Sequence, residues 1–436
     1  MTGKDSQQLE RIPTGIEKLD LILRGGFLKA GIYIVVGTPG AGKTILGNQI
    51  CFNHVKRGGK AVFVTLLAET HARMLAHIRH MSFFNPQVVG DSLYYVSGYG
   101  ALESEGLPGL LKFLRQLLRE RRASLLVVDG LATAEALSGK DIDFRRFLHE
   151  LQVFAETSGT TIFLLTQPGA QPGHSEHTMA DGVLSLYDLT FGPRAVRELE
   201  VAKLRGSGYL RGRHAFEITE QGIEVHPRIE AVFSNPTPTE VDVRTRMGFG
   251  IPRLDEMLLG GLLSASSTAL LGAHGSGKTM LGLHFLNEGA SRGEKTLYFG
   301  FYETPPRLVA KAAQIGLNIE QHIKDDLINI VWRPALEHLP DALAEQLLDA
   351  VQASGAKRVV IDGVEVFNDS LVYPERASAF FTALTNELRV LGATTLLAAE
   401  LPEVFGPHVA FSVPRLAATL DNIIFLVTDC YQVFLL

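Results

Sequence analysis

The chain contains the same glycine-rich motif twice, and this repetition constrains its fold more than any other feature. Residues 37–44 read GTPGAGKT and residues 272–279 read GAHGSGKT. Both fit the pattern G-x-x-x-x-G-K-[ST], in which glycines let successive backbone N–H groups converge on phosphates. The lysine reaches the terminal phosphates, the hydroxyl binds Mg²⁺, and the helix that follows directs its positive end toward the nucleotide. The sequence therefore predicts two loops that bind the phosphates of ATP.

All eight residues of each motif are predicted to form the ATP sites. They are Gly37, Thr38, Pro39, Gly40, Ala41, Gly42, Lys43, Thr44, Gly272, Ala273, His274, Gly275, Ser276, Gly277, Lys278 and Thr279. An aspartate ends an apolar, strand-like run in each half: Asp129 in SLLVVD and Asp362 in KRVVID. Since a phosphate-binding loop needs a strand-end carboxylate beside its hydroxyl, we predict that Thr44 with Asp129, and Thr279 with Asp362, hold Mg²⁺.

Hydrolysis of ATP also requires a group that orients the attacking water. Glu69 in VTLLAET and Glu303 in FGFYET follow the second strand-like run of each half. Because the carboxyl ends of the strands face the nucleotide crevice in such folds, we predict this catalytic role for both glutamates. The alternative is structural, since Glu-Thr before a helix is also a favourable capping sequence.

The two motifs belong to a longer internal repeat. RIPTGIEKLDLILRGG from Arg11 returns as RMGFGIPRLDEMLLGG from Arg246, and matching residues are 233 to 235 positions apart. This near-constant separation indicates duplicated domains, which we place at 1–230 and 246–436 with a linker at 231–245. Within each half, short apolar runs alternate with helical patterns. The predicted fold is therefore α/β, with a mostly parallel sheet and helices on both faces of each domain.

Composition limits the classes of function. A chain of 436 residues suits two domains, and its net charge of −6 favours neither nucleic acid nor an anionic membrane as a partner. The only two cysteines, Cys51 and Cys430, lie in different halves, which favours a reducing compartment. The polar start and the absence of a long apolar run lead us to expect a cytoplasmic, soluble protein.

With these motifs, the chain resembles the RecA-type ATPases and, within them, the KaiC family. The resemblance covers nearly the whole chain and includes the segment KLRGSGYLRGRHAFEITEQGIEVHP from Lys203. It implies two tandem domains, assembled with other copies into a two-tiered hexameric ring. It also implies that Lys203 and Arg205 are catalytic residues that reach the γ-phosphate bound by the neighbouring subunit, where they would stabilise charge in the transition state.

Two differences from the clock member of that family lower the expected activity. That member has two adjacent glutamates at each strand end, whereas the residue before the remaining glutamate is Ala68 in the first half and Tyr302 in the second. The Ser-Thr pair that it phosphorylates in its second domain is matched here by Ala417 and Ala418. We therefore expect no serine/threonine autokinase activity.

A third difference separates the two halves. When Asp181 is aligned with Asp421, the counterpart of Lys203 would fall at position 443, past Leu436. We therefore expect the second half to lack the basic hairpin. Because an arginine finger typically contributes about 10³–10⁵ in rate, hydrolysis is expected mainly in the first half.

The resulting hypothesis is a KaiC-like ring ATPase that couples ATP turnover to the binding of an unidentified protein partner. Two alternatives stay open. A DNA-dependent ATPase of the RecA or RadA kind would need a basic, glycine-rich DNA loop, which the acidic composition and the sequence do not favour. A nucleotide-gated scaffold with negligible turnover would agree with the missing glutamates.

Overall fold

A computed structural model describes residues 10–66, 71–137, 141–168, 179–235, 244–401 and 416–427. The chain divides into two compact units, residues 1–227 and 228–436. The sequence repeat predicts a first domain that ends at residue 230, whereas the division between the units falls after Pro227. Ile229 is buried in the core of the second unit, which explains why the short helix that it begins belongs there.

The first unit is built on one large sheet and a small strand pair. Its strands are β1 (Arg11–Ile12), β2 (Phe27–Leu28), β3 (Ile32–Gly37), β4 (Ala61–Thr65), β5 (Leu93–Ser97), β6 (Leu125–Asp129), β7 (Thr161–Thr166), β8 (Gly182–Phe191), β9 (Arg194–Leu204), β10 (Arg213–Thr219) and β11 (Gly222–His226). The described sheet has the order β11-β10-β9-β8-β3-β7-β6-β4-β5. The six strands from β8 to β5 are parallel, and β9, β10 and β11 extend the sheet in antiparallel fashion.

The second unit repeats the parallel part of this sheet. Its strands are β12 (Arg246–Met247), β13 (Leu262–Leu263), β14 (Ser267–Gly272), β15 (Thr296–Gly300), β16 (Ile328–Trp332), β17 (Arg358–Asp362), β18 (Thr394–Glu400) and β19 (Asn422–Leu426). The described order is β16-β15-β17-β18-β14-β19, and all five pairings are parallel. Each strand takes the place of its counterpart in β5-β4-β6-β7-β3-β8, so the predicted α/β fold of two RecA-like domains is confirmed.

Helices cover both faces of each sheet. In the first unit they are α1 (Glu17–Ile22), α2 (Lys43–Lys56), α3 (His71–Ile78), α4 (Tyr99–Arg121), α5 (Leu131–Leu137) and α6 (Asp141–Ser158). In the second they are α7 (Ile229–Val232), α8 (Pro252–Met257), α9 (Lys278–Ser291), α10 (Pro305–Gln314), α11 (Ile319–Lys324), α12 (Pro340–Ser354), α13 (Glu365–Ser370) and α14 (Ala377–Val390). None of the described helices is both long and apolar enough to cross a membrane.

The sheet strands are continuous apolar runs because both of their faces are covered. Every residue of β3, β4, β6 and β7 is buried. One face packs on α4, α5 and α6, and the second unit has a separate core on each side of its sheet. Where α2 crosses the first sheet, a Cβ on Gly47 would lie 3.1 Å from side chains of Val127 and Leu165, so a glycine lets the helix approach closely.

The lead-in segments of the repeat have a structural role. The carboxylate of Asp20 accepts hydrogen bonds from the backbone N–H groups of Thr14 at 2.7 Å and Gly15 at 3.0 Å. Asp255 makes the same pair of contacts with the backbone of Phe249 and Gly250. The aspartate of each lead-in therefore closes a tight turn before its helix.

Candidate nucleotide-binding sites

Each glycine-rich motif forms the turn between a central strand and a helix. The first turn joins β3 to α2 and the second joins β14 to α9. The residue before each helix is a glycine in the left-handed region: Gly42 at φ 97° and Gly277 at φ 94°. A side chain would be strained there. The turn thus directs backbone N–H groups and the N-terminus of a long helix toward one point, as anion binding requires.

The motif lysines lie back over their own loops. The Lys43 Nζ donates to the carbonyl oxygens of Gly37 at 2.7 Å and Thr38 at 2.9 Å. The Lys278 Nζ donates to Gly272 and Ala273, both at 2.8 Å. Burial lowers the pKa of Lys43 below its ordinary value, and Asp129 only partly opposes this effect. Because these carbonyl partners are neutral, a phosphate would be the stronger acceptor for either ammonium group.

The predicted metal ligands come together in pairs. The Thr44 Oγ1 donates to Asp129 Oδ2 at 2.7 Å, and the Thr279 Oγ1 donates to Asp362 Oδ2 at 2.7 Å. Both aspartates are buried at the strand end next to the loop. Among the described residues no group of three or more His, Cys, Asp or Glu could hold a metal ion. Mg²⁺ takes oxygen ligands, and it is usually held by one or two carboxylates together with phosphate oxygens and waters. The hydroxyl–carboxylate pair of each site fits this set of ligands.

A tyrosine adds a further hydrogen bond in the second site, which no sequence motif predicts. The Tyr298 hydroxyl donates to Asp362 Oδ2 at 2.6 Å. Burial first, and then the neighbouring Asp362 carboxylate, raise the pKa of Tyr298 above its ordinary value, so the hydroxyl keeps its proton. At the corresponding position of β4 the first unit has Phe63. Comparing the two halves residue by residue would have revealed this difference.

The structure describes one of the two predicted catalytic glutamates, Glu303. Glu69 lies outside the described residues. Glu303 follows β15, and its Oε1 contacts the Lys311 Nζ closely while its Oε2 lies 4.0 Å from the Arg307 Nε. Both cations project from α10. Thr304 is the N-cap of that helix, but its side chain makes no capping hydrogen bond.

Two more carboxylates flank the second loop. The Glu400 Oε1 lies 3.0 Å from the His274 Nδ1, and the Glu365 Oε1 accepts from the Tyr302 hydroxyl at 3.3 Å. Burial raises the pKa of Glu365 above its ordinary value, and Glu400 adds to this effect. The corresponding first-unit residues, by strand register, are neutral: Ala132 and Gln167. At these two described positions, the second site therefore has carboxylates where the first has neutral side chains.

The predicted finger residues lie away from the loop of their own unit. Lys203 pairs with Val183 across β9 and β8, and Val183 pairs with Ile34 on β3. The Arg205 backbone N–H donates to the carbonyl of Asp181 at 2.7 Å, where β8 begins. Ile34 lies three residues before Gly37, where β3 ends and the loop starts. At about 3.3 Å per residue, Lys203 therefore lies about 10 Å from the loop along the strand direction. The structure thus does not bring Lys203 and Arg205 to the phosphate loop of the same unit.

The two sites share the arrangement of P-loop ATPases of RecA type: a glycine turn on the central strand, its lysine, and a hydroxyl–aspartate pair at the carboxyl edge of a parallel sheet. Comparison with known proteins agrees. The family model for the KaiC ATPase matches residues 12–230 and 247–433. The chain therefore belongs to the KaiC family.

Several relatives of the chain are named circadian clock oscillator protein KaiC. The one from Parasynechococcus marenigrum (strain WH8102) is 26% identical over 344 residues, which cover 76% of this chain and 66% of the relative. The one from Parathermosynechococcus lividus is 27% identical over 378 residues, which cover 83% of this chain and 68% of the relative. The chain thus spans about two thirds of the length of the curated relatives that it matches.

Proposed function

We propose that the chain is a KaiC-type ring protein that binds and hydrolyses ATP and couples its nucleotide state to the binding of a protein partner. The observation that carries this proposal is the pair of glycine-rich loops, each with its lysine, Lys43 or Lys278, lying over the loop carbonyls and a hydroxyl–aspartate pair, Thr44–Asp129 or Thr279–Asp362, beside it.

In the first unit, each residue has a distinct task. The Lys43 ammonium binds the terminal phosphates, and the backbone of residues 37–42 surrounds them. Thr44 and Asp129 would hold Mg²⁺, which would neutralise charge on the phosphates. Glu69 orients the water that attacks the γ-phosphate and accepts its proton. This reaction is an in-line displacement, so the orientation of the water matters more than strong nucleophilicity.

The hairpin residues support a ring. Lys203 and Arg205 lie about 10 Å or more along the strand direction from their own loop. If they act on ATP, the neighbouring copy must hold it, as the family resemblance implies. Hydrolysis in the first unit therefore requires assembly of several copies, for which we propose a hexamer.

In the second unit, we propose that ATP is mainly held rather than hydrolysed. The Lys311 ammonium group contacts Glu303 Oε1, and we propose that this contact keeps the carboxylate from orienting the attacking water. The alanines at positions 417 and 418 remove the hydroxyls that an autokinase of this family would modify, so we propose no autokinase activity.

The test measures the ATPase rate and the particle mass of the purified full chain with and without ATP and Mg²⁺. We expect turnover and a hexamer-sized particle only when both are present. A monomer with full turnover would contradict the ring. Binding of ATP without turnover would favour the nucleotide-gated scaffold. Salt-dependent binding of single-stranded DNA would favour the RecA or RadA alternative.

A further inference from the structure

We propose that Tyr298 is a positioning residue for the metal-binding carboxylate of the second site. Its hydroxyl holds Asp362 in the orientation in which this side chain binds the water shell of Mg²⁺. This inference rests on the proposed function, in which the second loop retains a nucleotide together with Mg²⁺.

The hydrogen bonds of Asp362 define the geometry. Oδ2 accepts from the Thr279 hydroxyl at 2.7 Å and from the Tyr298 hydroxyl at 2.6 Å. Two donors on one oxygen fix the rotation of the carboxyl group. Neither bond occupies Oδ1, which remains available to waters bound to the metal. Mg²⁺ retains several waters and is usually held by one or two carboxylates, so the orientation of this one carboxylate matters.

The sequence of β15 provides the space that the Tyr298 ring occupies. Tyr298 is almost completely buried, and a Cβ on Gly300 would lie 2.4 Å from its Cε1 atom. Gly300 is also the strand partner of Asp362. A glycine at this place therefore makes room for the ring directly beside the aspartate.

The first half has a different pair of residues at the same strand positions. There β4 has Phe63 and Thr65, and Thr65 pairs with Asp129 in the same register. Phenylalanine has no hydroxyl to donate, so the ring at position 63 cannot make the corresponding bond. The tyrosine and the glycine thus occur together in the half that has the hydrogen bond.

Groups that orient a metal ligand typically contribute 10–100-fold to metal affinity. Removing the Tyr298 hydroxyl leaves Asp362 with one donor and more rotational freedom. We expect the Mg²⁺ concentration that half-saturates nucleotide binding to rise about tenfold. Nucleotide binding in EDTA should not change, because Lys278 and the loop backbone are unaltered.

The experiment uses the full chain carrying Lys43→Ala, so that binding reports the second site. A fluorescent ADP analogue is titrated with MgCl₂, and a parallel titration is made in EDTA. Tyr298→Phe is compared with the parent and with Tyr33→Phe. That control removes another buried tyrosine hydroxyl, which donates to the Leu28 carbonyl in the first unit.

We expect Tyr298→Phe to raise the Mg²⁺ midpoint and Tyr33→Phe to leave it unchanged. An unchanged or lower midpoint for Tyr298→Phe would overturn the positioning role. Equal losses with Mg²⁺ and in EDTA would also overturn it, because they indicate a general structural effect. If the parent binds no analogue at any Mg²⁺ concentration, the proposed second nucleotide site is wrong, and this inference is wrong with it.

Discussion

At the scale of single residues, the two sites share their lysine, threonine and aspartate but differ in what surrounds them. The Oε1 atom of Glu303 is contacted by Lys311 of α10, and Asp362 has a tyrosine donor. The Glu303 carboxylate is mostly buried, so its pair with Lys311 restrains it more than a pair between two exposed side chains would. The second site is therefore more tightly restrained than its motif alone indicates.

The first prediction compares the two glutamates. Under saturating ATP, we expect Glu69→Gln to remove nearly all turnover and Glu303→Gln to leave most of it, because Glu303 is held by Lys311. Phosphate release by the purified full chain measures both. A larger loss in Glu303→Gln would mean that hydrolysis takes place mainly in the second unit.

The second prediction concerns Lys311. In a Glu69→Gln background, where residual turnover comes from the second unit, Lys311→Met should raise the rate severalfold because it releases Glu303 to orient water. Lys324→Met is the matched control, since that lysine pairs with Glu320 on an exposed helix surface. If turnover stays the same or falls in Lys311→Met, the contact does not restrain catalysis.

At the scale of secondary-structure elements, one feature positions the predicted finger residues of the first unit, and another holds the short helix α7 in the second unit. Lys203 on the hairpin strand β9, and Arg205 directly after that strand, lie at the end of the sheet opposite the loop. In the second unit, α7 is held by Arg376, which pairs with Glu230 at 2.8 Å and with the buried Asp341 at 2.8 Å. The first feature is expected to affect catalysis and the second stability.

The third prediction tests the hairpin. Arg205→Ala should lower kcat of the assembled protein far more than it weakens ATP binding, because a finger interacts mainly in the transition state. Steady-state kinetics and equilibrium nucleotide binding give the two quantities. Equal losses in binding and turnover would show that Arg205 has no specific role in the transition state.

The fourth prediction tests the ion cluster around α7. Arg376→Met leaves the buried Asp341 without its cation and Glu230 with Arg228 alone, 3.6 Å away, which should lower the free energy of unfolding by about 3–5 kcal/mol. Trp332 is the only tryptophan and lies in the second unit, so its fluorescence during urea unfolding reports this effect.

The matched control for this cluster is Arg292→Met, which breaks an exposed i,i+4 pair with Glu288. Such pairs contribute about 0.3–0.5 kcal/mol. A loss in Arg376→Met no larger than that of the control would mean that the cluster does not stabilise the second unit.

At the scale of the whole molecule, the proposed function depends on assembly. Two RecA-like units in one chain give each copy two loops, and we propose that Lys203 and Arg205 of a neighbour complete the loop of the first unit. ATP should therefore promote assembly and be hydrolysed only after it. Nucleotide binding and oligomer formation are then linked equilibria.

The fifth prediction follows from this linkage. Lys43→Ala should abolish nucleotide binding at the first site and with it the ATP-dependent ring. Light scattering on the eluting protein measures the particle mass with and without ATP. Lys278→Ala is the matched variant in the second loop. An oligomer profile of Lys43→Ala that equals that of the unaltered chain would exclude the first site as the trigger for assembly.

The sequence by itself determined the two-domain α/β fold, the two phosphate loops and the Thr–Asp pairs. These features depend on local patterns: apolar runs bounded by helices, glycines where positive φ is needed, and a spacing repeated along the chain. Neighbouring parallel strands end at one edge of the sheet, so the sequence alone places Asp129 and Asp362 beside their loops.

Only the tertiary structure decided which side chains meet around those motifs. The contact of Lys311 with Glu303 depends on how α10 turns after β15, and the bond from Tyr298 to Asp362 depends on the register of β15 with β17. The location of Lys203 away from its own loop follows from the antiparallel register of β9 with β8. Such contacts join residues that are distant in sequence, and their geometry is set by packing, which no local pattern specifies.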